Sequence, residues 1–132
     1  MLPPANDPLD ENPVCMILKY MLNQSATLDP LFHALADPTR RVMVERLCQG
    51  PASVSELAQP FAMSLPAVVQ HLQVLEGSGL VKSQKAGRVR ICRIEPTALR
   101  TAEEWITRQR VSWERRLDRL SQYLAEHPDE PT

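Results

Sequence analysis

The chain has 132 residues and a formal net charge of −1, with 43% hydrophobic and 23% charged residues. These values are ordinary for one globular domain that buries its own core without metals or disulfides. Three cysteines without a CxxC spacing argue against a secreted disulfide scaffold, so reduced thiols in the cytoplasm are expected.

The small net charge hides a segregation of charge along the chain. Residues 1–38 hold one lysine against five acidic residues, a net of −4, whereas residues 64–94 hold five basic residues against one glutamate, a net of +4. A basic segment in a near-neutral chain is typical of a protein that presents one face to an anionic partner. A solvated surface without a partner would show the same pattern.

The amino-terminal part is predicted to hold an irregular start and an extra helix. Residues 1–13 contain "PP", "DP" and "NP", which favour turns. The apolar run at 14–22 is interrupted by Lys19 and is too short to span a bilayer, so no membrane association is expected. The run favours an amphipathic helix that packs on a partner surface. A separate helix is expected from Asp29, with Pro30 in its first turn.

Short helices follow in the middle of the chain. One is predicted to begin near Thr39 and to end at Gly50. Ser53 or Ser55 is expected to cap a second helix, and Glu56, three residues after Ser53, is typical of a capping box. Ser64 is expected to cap a third helix, whose inner face is formed by Val68, Leu72 and Leu75.

The remaining sequence predicts a hairpin and one long helix. The segments "LVKSQ" and "RVRICRI" are joined by "KAGR", which is typical of a β-hairpin turn. From Pro96 a helix with apolar residues at spacings of three, four and seven is expected to run to about His127, a length of about 45 Å. Because this exceeds what a small domain needs, part of its apolar stripe is expected to pack on another subunit. The element order predicts an α+β, mostly helical fold.

A basic hairpin directly after two closely connected helices predicts a DNA-binding unit. In a helix-turn-helix over residues 53–76, the second helix would enter the major groove. Free amides at Ser64 favour a phosphate, and Gln70 can pair bidentately with adenine. The hairpin would form a wing at about 82–93, which places positive charge on the DNA backbone or in the minor groove through Lys85, Arg88 and Arg90.

Together, "ALADPTRR", "SVSELA", "SLPAVVQHLQVLEGSGLV" and the wing resemble the ArsR-type winged helix-turn-helix transcriptional regulators, over roughly residues 28–124. The resemblance implies a winged helix-turn-helix with a long C-terminal dimerisation helix, and a homodimer that binds an imperfect palindrome in double-stranded DNA and usually represses transcription. It places the recognition helix at about 64–76, with these groove-facing candidates: Leu65, Pro66, Ala67, Val69, Gln70 and His71. The dimer contacts are expected on the first and last helices, from Leu28, Leu31, Leu35, Leu99, Ala102, Ile106, Trp113, Leu117 and Leu120.

The chain departs from the family pattern in three places. Val69 stands where a serine is common, and Gln73, a further DNA-binding candidate, stands where a lysine or arginine is common. Each change removes a polar or charged DNA contact. The founding members sense metals, yet "SELAQPF" lacks their paired cysteines, and residues 97–126 contain no histidine or cysteine. No metal and no cofactor is therefore expected, and the effector is unknown.

Two other functions compete with DNA-binding repression. Winged helices also serve as protein-interaction modules without specific DNA binding. The other competing function is thiol-based redox sensing, in which Cys15 and Cys48 would form a pair. Lone cysteines such as Cys48 and Cys92 are, however, more often small core residues. The sequence has no arrangement of nucleophile, base or phosphate loop that predicts an enzyme.

The expected organisation has four parts. Residues 1–27 form an N-terminal extension with a possible extra helix, and residues 28–95 form the winged helix-turn-helix DNA-binding domain. Residues 96–127 form the dimerisation helix, and a disordered tail is expected at 128–132.

Overall fold

The computed structural model describes residues 13–128, except for the side chains of residues 20 and 23–25. Within that range it forms a mostly helical α+β fold, as predicted. The elements are α1 (Pro13–Leu35), α2 (Pro38–Cys48), β1 (Ala52–Ser53), α3 (Val54–Ala58), α4 (Leu65–Gly77), β2 (Val81–Ala86), β3 (Val89–Ile94) and α5 (Pro96–Glu126). In this part of the chain, no helix is both long and apolar enough to cross a membrane.

Helix α1 runs without a break through the proline at which a separate helix was expected to begin. Pro30 lies inside this helix of 23 residues, so the predicted start near Asp29 is wrong. Proline cannot donate the backbone hydrogen bond of a helix interior, which usually bends or ends the helix. Here Leu28 and Leu31, on either side of the proline, are both buried, and their packing holds the helix together. The predicted irregular start and tail fall mainly on residues 1–12 and 129–132, which lie outside the described residues.

Side-chain caps set the starts of three helices. Asp37 caps α2, Ser53 caps α3 and Ser64 caps α4, and each accepts a hydrogen bond from a first-turn backbone amide, at 3.0, 3.1 and 3.4 Å respectively. A cap of this kind satisfies an amide that has no partner within the helix. The capping box at Ser53 is half formed, because the carboxylate of Glu56 instead pairs with Arg46 at 3.4 Å.

The predicted hairpin is confirmed, and a short third strand extends it. Strands β2 and β3 are antiparallel, and Gly87 begins their connection with a φ of 67°, which a glycine adopts without strain. Strand β1 pairs with β3 through Ala52 opposite Cys92 and Ser53 opposite Ile91, giving the order β1-β3-β2. A strand of two residues leaves no alternating pattern in the sequence, so β1 was not predicted.

The core lies between the helices and one face of the sheet. The predicted inner face of α4 is confirmed, because Val68, Leu72 and Leu75 are all buried. Each fully buried leucine stabilises the fold by about 1.5–3 kcal/mol relative to an exposed one. The other large side chains that are almost completely buried are Leu31, Met43, Leu47, Leu57, Leu80 and Val81.

The cysteines behave differently from one another. Cys92 is buried in the sheet, as predicted, and burial raises the pKa of its thiol. Cys48 is exposed, so the expectation that it is a core residue is wrong. It is the last residue of α2, and the neighbouring Leu47 occupies the buried face at that turn.

Candidate nucleic-acid interface

Helix α4 leaves one face uncovered. At about 100° per residue, the buried Val68, Leu72 and Leu75 share one side of the helix. Exposed residues without charge lie on the rest of the helix surface, including Leu65 in the first turn, which is 53% exposed, and Val69, which is 37% exposed. We call this surface the α4 open face; it consists of Leu65, Pro66, Val69, Gln70 and Gln73. Five predicted groove-facing residues therefore lie together.

Two further predicted residues lie at the start of α4. Ser64 is exposed and uses its hydroxyl to cap the helix, accepting from the amide of Ala67 at 3.4 Å. Ala67 is half-buried and lies at the edge of the open face. The amino-terminal end of a helix carries partial positive charge and attracts anions. Ser64 thus presents this end of α4 to solvent next to the open face.

His71 lies outside the open face, and its predicted contact with the groove stays a prediction. Its side chain is 24% exposed, and its Nδ1 lies 3.4 Å from Nη1 of Arg40 and 3.7 Å from Oδ2 of Asp37. The helical geometry places His71 about 160° from Gln73 and about 100° from Gln70 around α4. The ring therefore packs toward the start of α2, within the domain.

The wing carries the cations that are closest to α4 in sequence. Lys85 and Arg90 are paired across the hairpin and Arg88 lies in its turn, and all three are exposed. Arg90 donates to Oγ of Ser83 at 3.2 Å and lies 4.0 Å from a carboxylate oxygen of Glu76. Among residues 13–128, Lys85 and Arg88 take part in no ion pair. The positive charge at the end of the wing is thus free for an external anion.

The predicted dimer contacts fall into two groups. Leu28, Leu31 and Ala102 are buried within the chain, and Leu35 and Leu99 pack half-buried against the same core. These five side chains are already covered in a single chain. The other four lie in α5 and are 45–60% exposed at spacings of seven, four and three, and Leu124 continues the row. We call this row the α5 stripe; it consists of Ile106, Trp113, Leu117, Leu120 and Leu124.

The first half of α5 is held on the domain by α1. The rings of Phe32 and Trp105 meet edge to face with centroids 5.6 Å apart. Ala102 is the only buried residue of α5, so the second half of the helix extends away from the core.

The proposed redox residues are placed apart from the core, with Cys15 half-buried near the start of α1 and Cys48 exposed at the end of α2. Both are free thiols, and a link between them stays a prediction.

Comparison with known proteins identifies relatives for most of the chain. Residues 35–84 match a protein family described as a helix-turn-helix domain. The HTH-type transcriptional regulator Rv2034 of Mycobacterium tuberculosis is 40% identical over 102 residues, which are 77% of this chain and 92% of that protein. Among solved structures, the ArsR family transcriptional regulator RHA00566 is 48% identical with a TM-score of 0.65, over 67% of this chain and 92% of its own.

A second similar solved structure is a homodimer. It is the homodimeric winged helix-turn-helix DNA-binding domain Mb0332 from Mycobacterium bovis, a possible ArsR-family transcriptional regulator. It is 28% identical with a TM-score of 0.53, over 69% of this chain and 83% of that chain. The segment shared with the helix-turn-helix family contains α2, α3 and the whole of α4, so the α4 open face lies within the matched region.

Proposed function

We propose that this chain, which belongs to the ArsR family of winged helix-turn-helix transcriptional regulators, acts as a homodimeric repressor that binds an imperfect palindrome in double-stranded DNA. The observation that carries the proposal is that two different surfaces, the α4 open face and the wing, lie next to each other. The α4 open face is uncharged and exposed, and the neighbouring wing holds cations without an ion-pair partner. One surface suits base edges and the other suits phosphates.

The α4 open face supplies the groups that distinguish base pairs. The helix has 13 residues, a length of about 20 Å, and the major groove is about 12 Å wide. The amide of Gln70 can donate to and accept from one adenine, whereas Leu65 and Val69 offer methyl groups to thymine. Because α4 contains no lysine or arginine, the strong pairing of a cation with guanine is absent from this helix. We therefore expect A·T pairs at the centre of each half-site.

The wing supplies affinity that depends little on sequence. Lys85 and Arg88 neutralise phosphates beside the groove that α4 occupies, and each contact releases bound counterions. Arg90 contributes less, because its guanidinium is already engaged by Ser83 and Glu76. Binding should consequently weaken with rising salt.

Dimerisation is proposed through the α5 stripe. A row of five large apolar side chains, each about half exposed, is a surface that proteins usually cover with a partner. A dimer with a two-fold axis presents two copies of α4, and helix-turn-helix dimers usually bind half-sites about 34–36 Å apart on one DNA face. The operator then has two related half-sites. A dimer bound across a promoter blocks access of the polymerase, which gives repression.

The proposal is tested with DNA from upstream of the chain's own gene. Fluorescence anisotropy should show a complex that survives competition by random DNA and weakens with salt, and footprinting should show two protected half-sites. A reporter under that promoter should be expressed more strongly when the gene is deleted. Equal affinity for random DNA at moderate salt would overturn the proposal and favour the protein-interaction module.

A further inference from the structure

One arginine side chain connects three helices of the domain. Arg40, in the first turn of α2, donates from Nε to the carbonyl of Ala34 at 2.8 Å and from Nη2 to the carbonyl of His33 at 3.0 Å. Its remaining terminal nitrogen, Nη1, lies 3.4 Å from Nδ1 of His71. The guanidinium thus closes the last turn of α1 and reaches the middle of α4. The rigid fork of arginine allows these contacts to be made at once.

Asp37 completes the cluster. Its Oδ2 accepts from the backbone amide of Arg40 at 3.0 Å and lies 3.7 Å from Nδ1 of His71. The hydrogen bond from that amide lowers the pKa of Asp37, with smaller contributions from the charge of Arg40 and from His71, so the carboxylate stays ionised at neutral pH. Nδ1 of His71 thus lies beside both the guanidinium of Arg40 and the carboxylate of Asp37, and it can accept from Arg40 when it carries no proton.

The cluster lies on the side of α4 that faces its own domain. His71 lies about 160° around the helix from Gln73, on the side of the buried Leu75. Its contacts with Arg40 and Asp37 are the polar contacts described between α4 and the junction of α1 and α2. The remaining contacts of α4 on this side are apolar, from Val68 and Leu75, and apolar packing is not directional. The hydrogen bond to Arg40 therefore adds a directional restraint on the rotation of α4 about its own axis to the restraint that core packing supplies.

We propose that Arg40 and His71 are positioning residues for DNA binding, which hold α4 at the angle at which its open face enters the groove while neither side chain contacts DNA. This rests on the proposed function of α4. Since Arg40 also closes the end of α1, a displacement of α1 relative to α2 is transmitted to α4 through the same guanidinium. The orientation of the recognition helix is thereby coupled to that of the first helix.

Arg41 provides a matched control. It neighbours Arg40 in α2 and donates to the carbonyl of Leu35 at 2.8 Å, at the same end of α1, but the contact described for it does not extend to α4. Arg40→Gln and Arg41→Gln remove the same charge and each loosen that helix end. At the other end of the link, His71→Leu removes the acceptor, whereas His71→Asn keeps one near the position of Nδ1. Circular dichroism melts establish that each variant is folded.

The variants are compared for operator affinity, for base preference and for salt dependence. We expect Arg40→Gln and His71→Leu to weaken binding by about tenfold, the scale of one lost hydrogen bond, and Arg41→Gln and His71→Asn to stay near wild type. The loss of affinity should be equal for all single-base variants of the operator, since no base contact is removed. The slope of log affinity against log salt concentration (the salt slope) should be unchanged, since no phosphate contact is removed. A variant with both Arg40→Gln and His71→Leu should lose no more DNA affinity than either single variant, because both changes break the same link.

Hydrogen exchange of the free protein separates this inference from the proposed function. Amides of α4 should exchange faster in Arg40→Gln and His71→Leu than in wild type and Arg41→Gln, whether or not DNA binds. If the wild type shows no specific DNA binding but α4 exchange rises as expected, the proposed function fails and the link stands. Unchanged α4 exchange, relaxed preference at one base pair in His71→Leu, or a salt slope reduced by about one in Arg40→Gln would overturn the positioning role.

Discussion

Ser53 is paired with Ile91 across the sheet, and its hydroxyl caps α3 by accepting from the amide of Glu56 at 3.1 Å. The same residue therefore fixes the start of the helix-turn-helix and one edge of the strand that leads out of the wing. Ser53 is also buried, so both interactions are shielded from water. The helix-turn-helix and the sheet that carries the wing are thus connected through one residue.

Replacing the free cations of the wing should weaken DNA binding without changing its base preference. For Lys85→Ala and Arg88→Ala we expect lower affinity on every sequence and a salt slope reduced by about one per residue, because each removes one phosphate contact. Arg90→Ala should have a smaller effect, since Ser83 and Glu76 already hold its guanidinium. Anisotropy titrations at several salt concentrations measure both quantities.

Lys82→Ala is the matched control for the wing, because Lys82 lies at the base of the hairpin and pairs with Glu95 at 3.2 Å. An equal reduction of the salt slope in Lys82→Ala would show that the end of the wing has no special role. Full DNA affinity after loss of both Lys85 and Arg88 would contradict a DNA-binding wing.

Gln70→Ala should relax base preference at one position in each half-site. A bidentate contact to adenine discriminates by about 1–3 kcal/mol, which corresponds to about five- to 150-fold in relative affinity. Selection from a randomised operator measures this directly. Gln109→Ala removes the same side chain from an exposed position of α5 and should leave the preference unchanged. Retention of the full preference by Gln70→Ala would exclude Gln70 from base recognition.

Much of the domain was predictable because its signals are local. The serine caps, the apolar spacing of α4 and the glycine turn of the hairpin each depend on residues a few positions apart. The element types and the family resemblance follow from these signals. The grouping of Pro66, Val69, Gln70 and Gln73 on the α4 open face also follows from helical periodicity. Leu65 has the periodicity of the buried Leu72 and is exposed because it begins the helix.

The remaining features depend on contacts that are distant in sequence. The continuity of α1 through Pro30 results from burial on both sides of the proline, and β1 forms because β3 offers an edge. The family resemblance predicts that His71 faces the groove, and it gives no sign of the contact between His71 and Arg40, which is 31 residues earlier. A hydrogen bond over that separation leaves no pattern in a single sequence.

Leu75→Ala should lower the free energy of unfolding by about 2–5 kcal/mol, because it leaves a cavity in the centre of the core. Leu75 lies on the inner face of α4 and is completely buried. Leu65→Ala removes the same atoms from an exposed position of the same helix and should change stability by no more than about 0.5 kcal/mol. Urea denaturation at one fixed protein concentration compares the two, and an equal loss in both would contradict the described burial.

The three thiols should react with iodoacetamide at different rates near neutral pH. Cys48 is exposed and should be alkylated first, whereas Cys92 is buried and its raised pKa keeps the thiol protonated and unreactive. Mass spectrometry of peptides sampled over time follows each site, and urea should equalise the rates. Because the folded state holds the Cys92 proton more tightly than the unfolded chain, this residue's contribution to stability should decline as pH rises above the ordinary thiol pKa. Early labelling of Cys92 would contradict its place in the core.

Leu117→Glu should convert a dimer into a monomer, because it places a charge in the middle of the α5 stripe, where a partner helix would have to bury it. Gln122→Glu adds the same charge on the opposite side of α5 and should leave the dimer intact. Sedimentation velocity across a range of concentrations distinguishes these outcomes. A monomer that keeps its fold should still bind one half-site through α4 and the wing. It should lose the gain in affinity that comes from binding two half-sites at once. A dimer unaffected by Leu117→Glu and by Leu120→Glu would place the interface elsewhere.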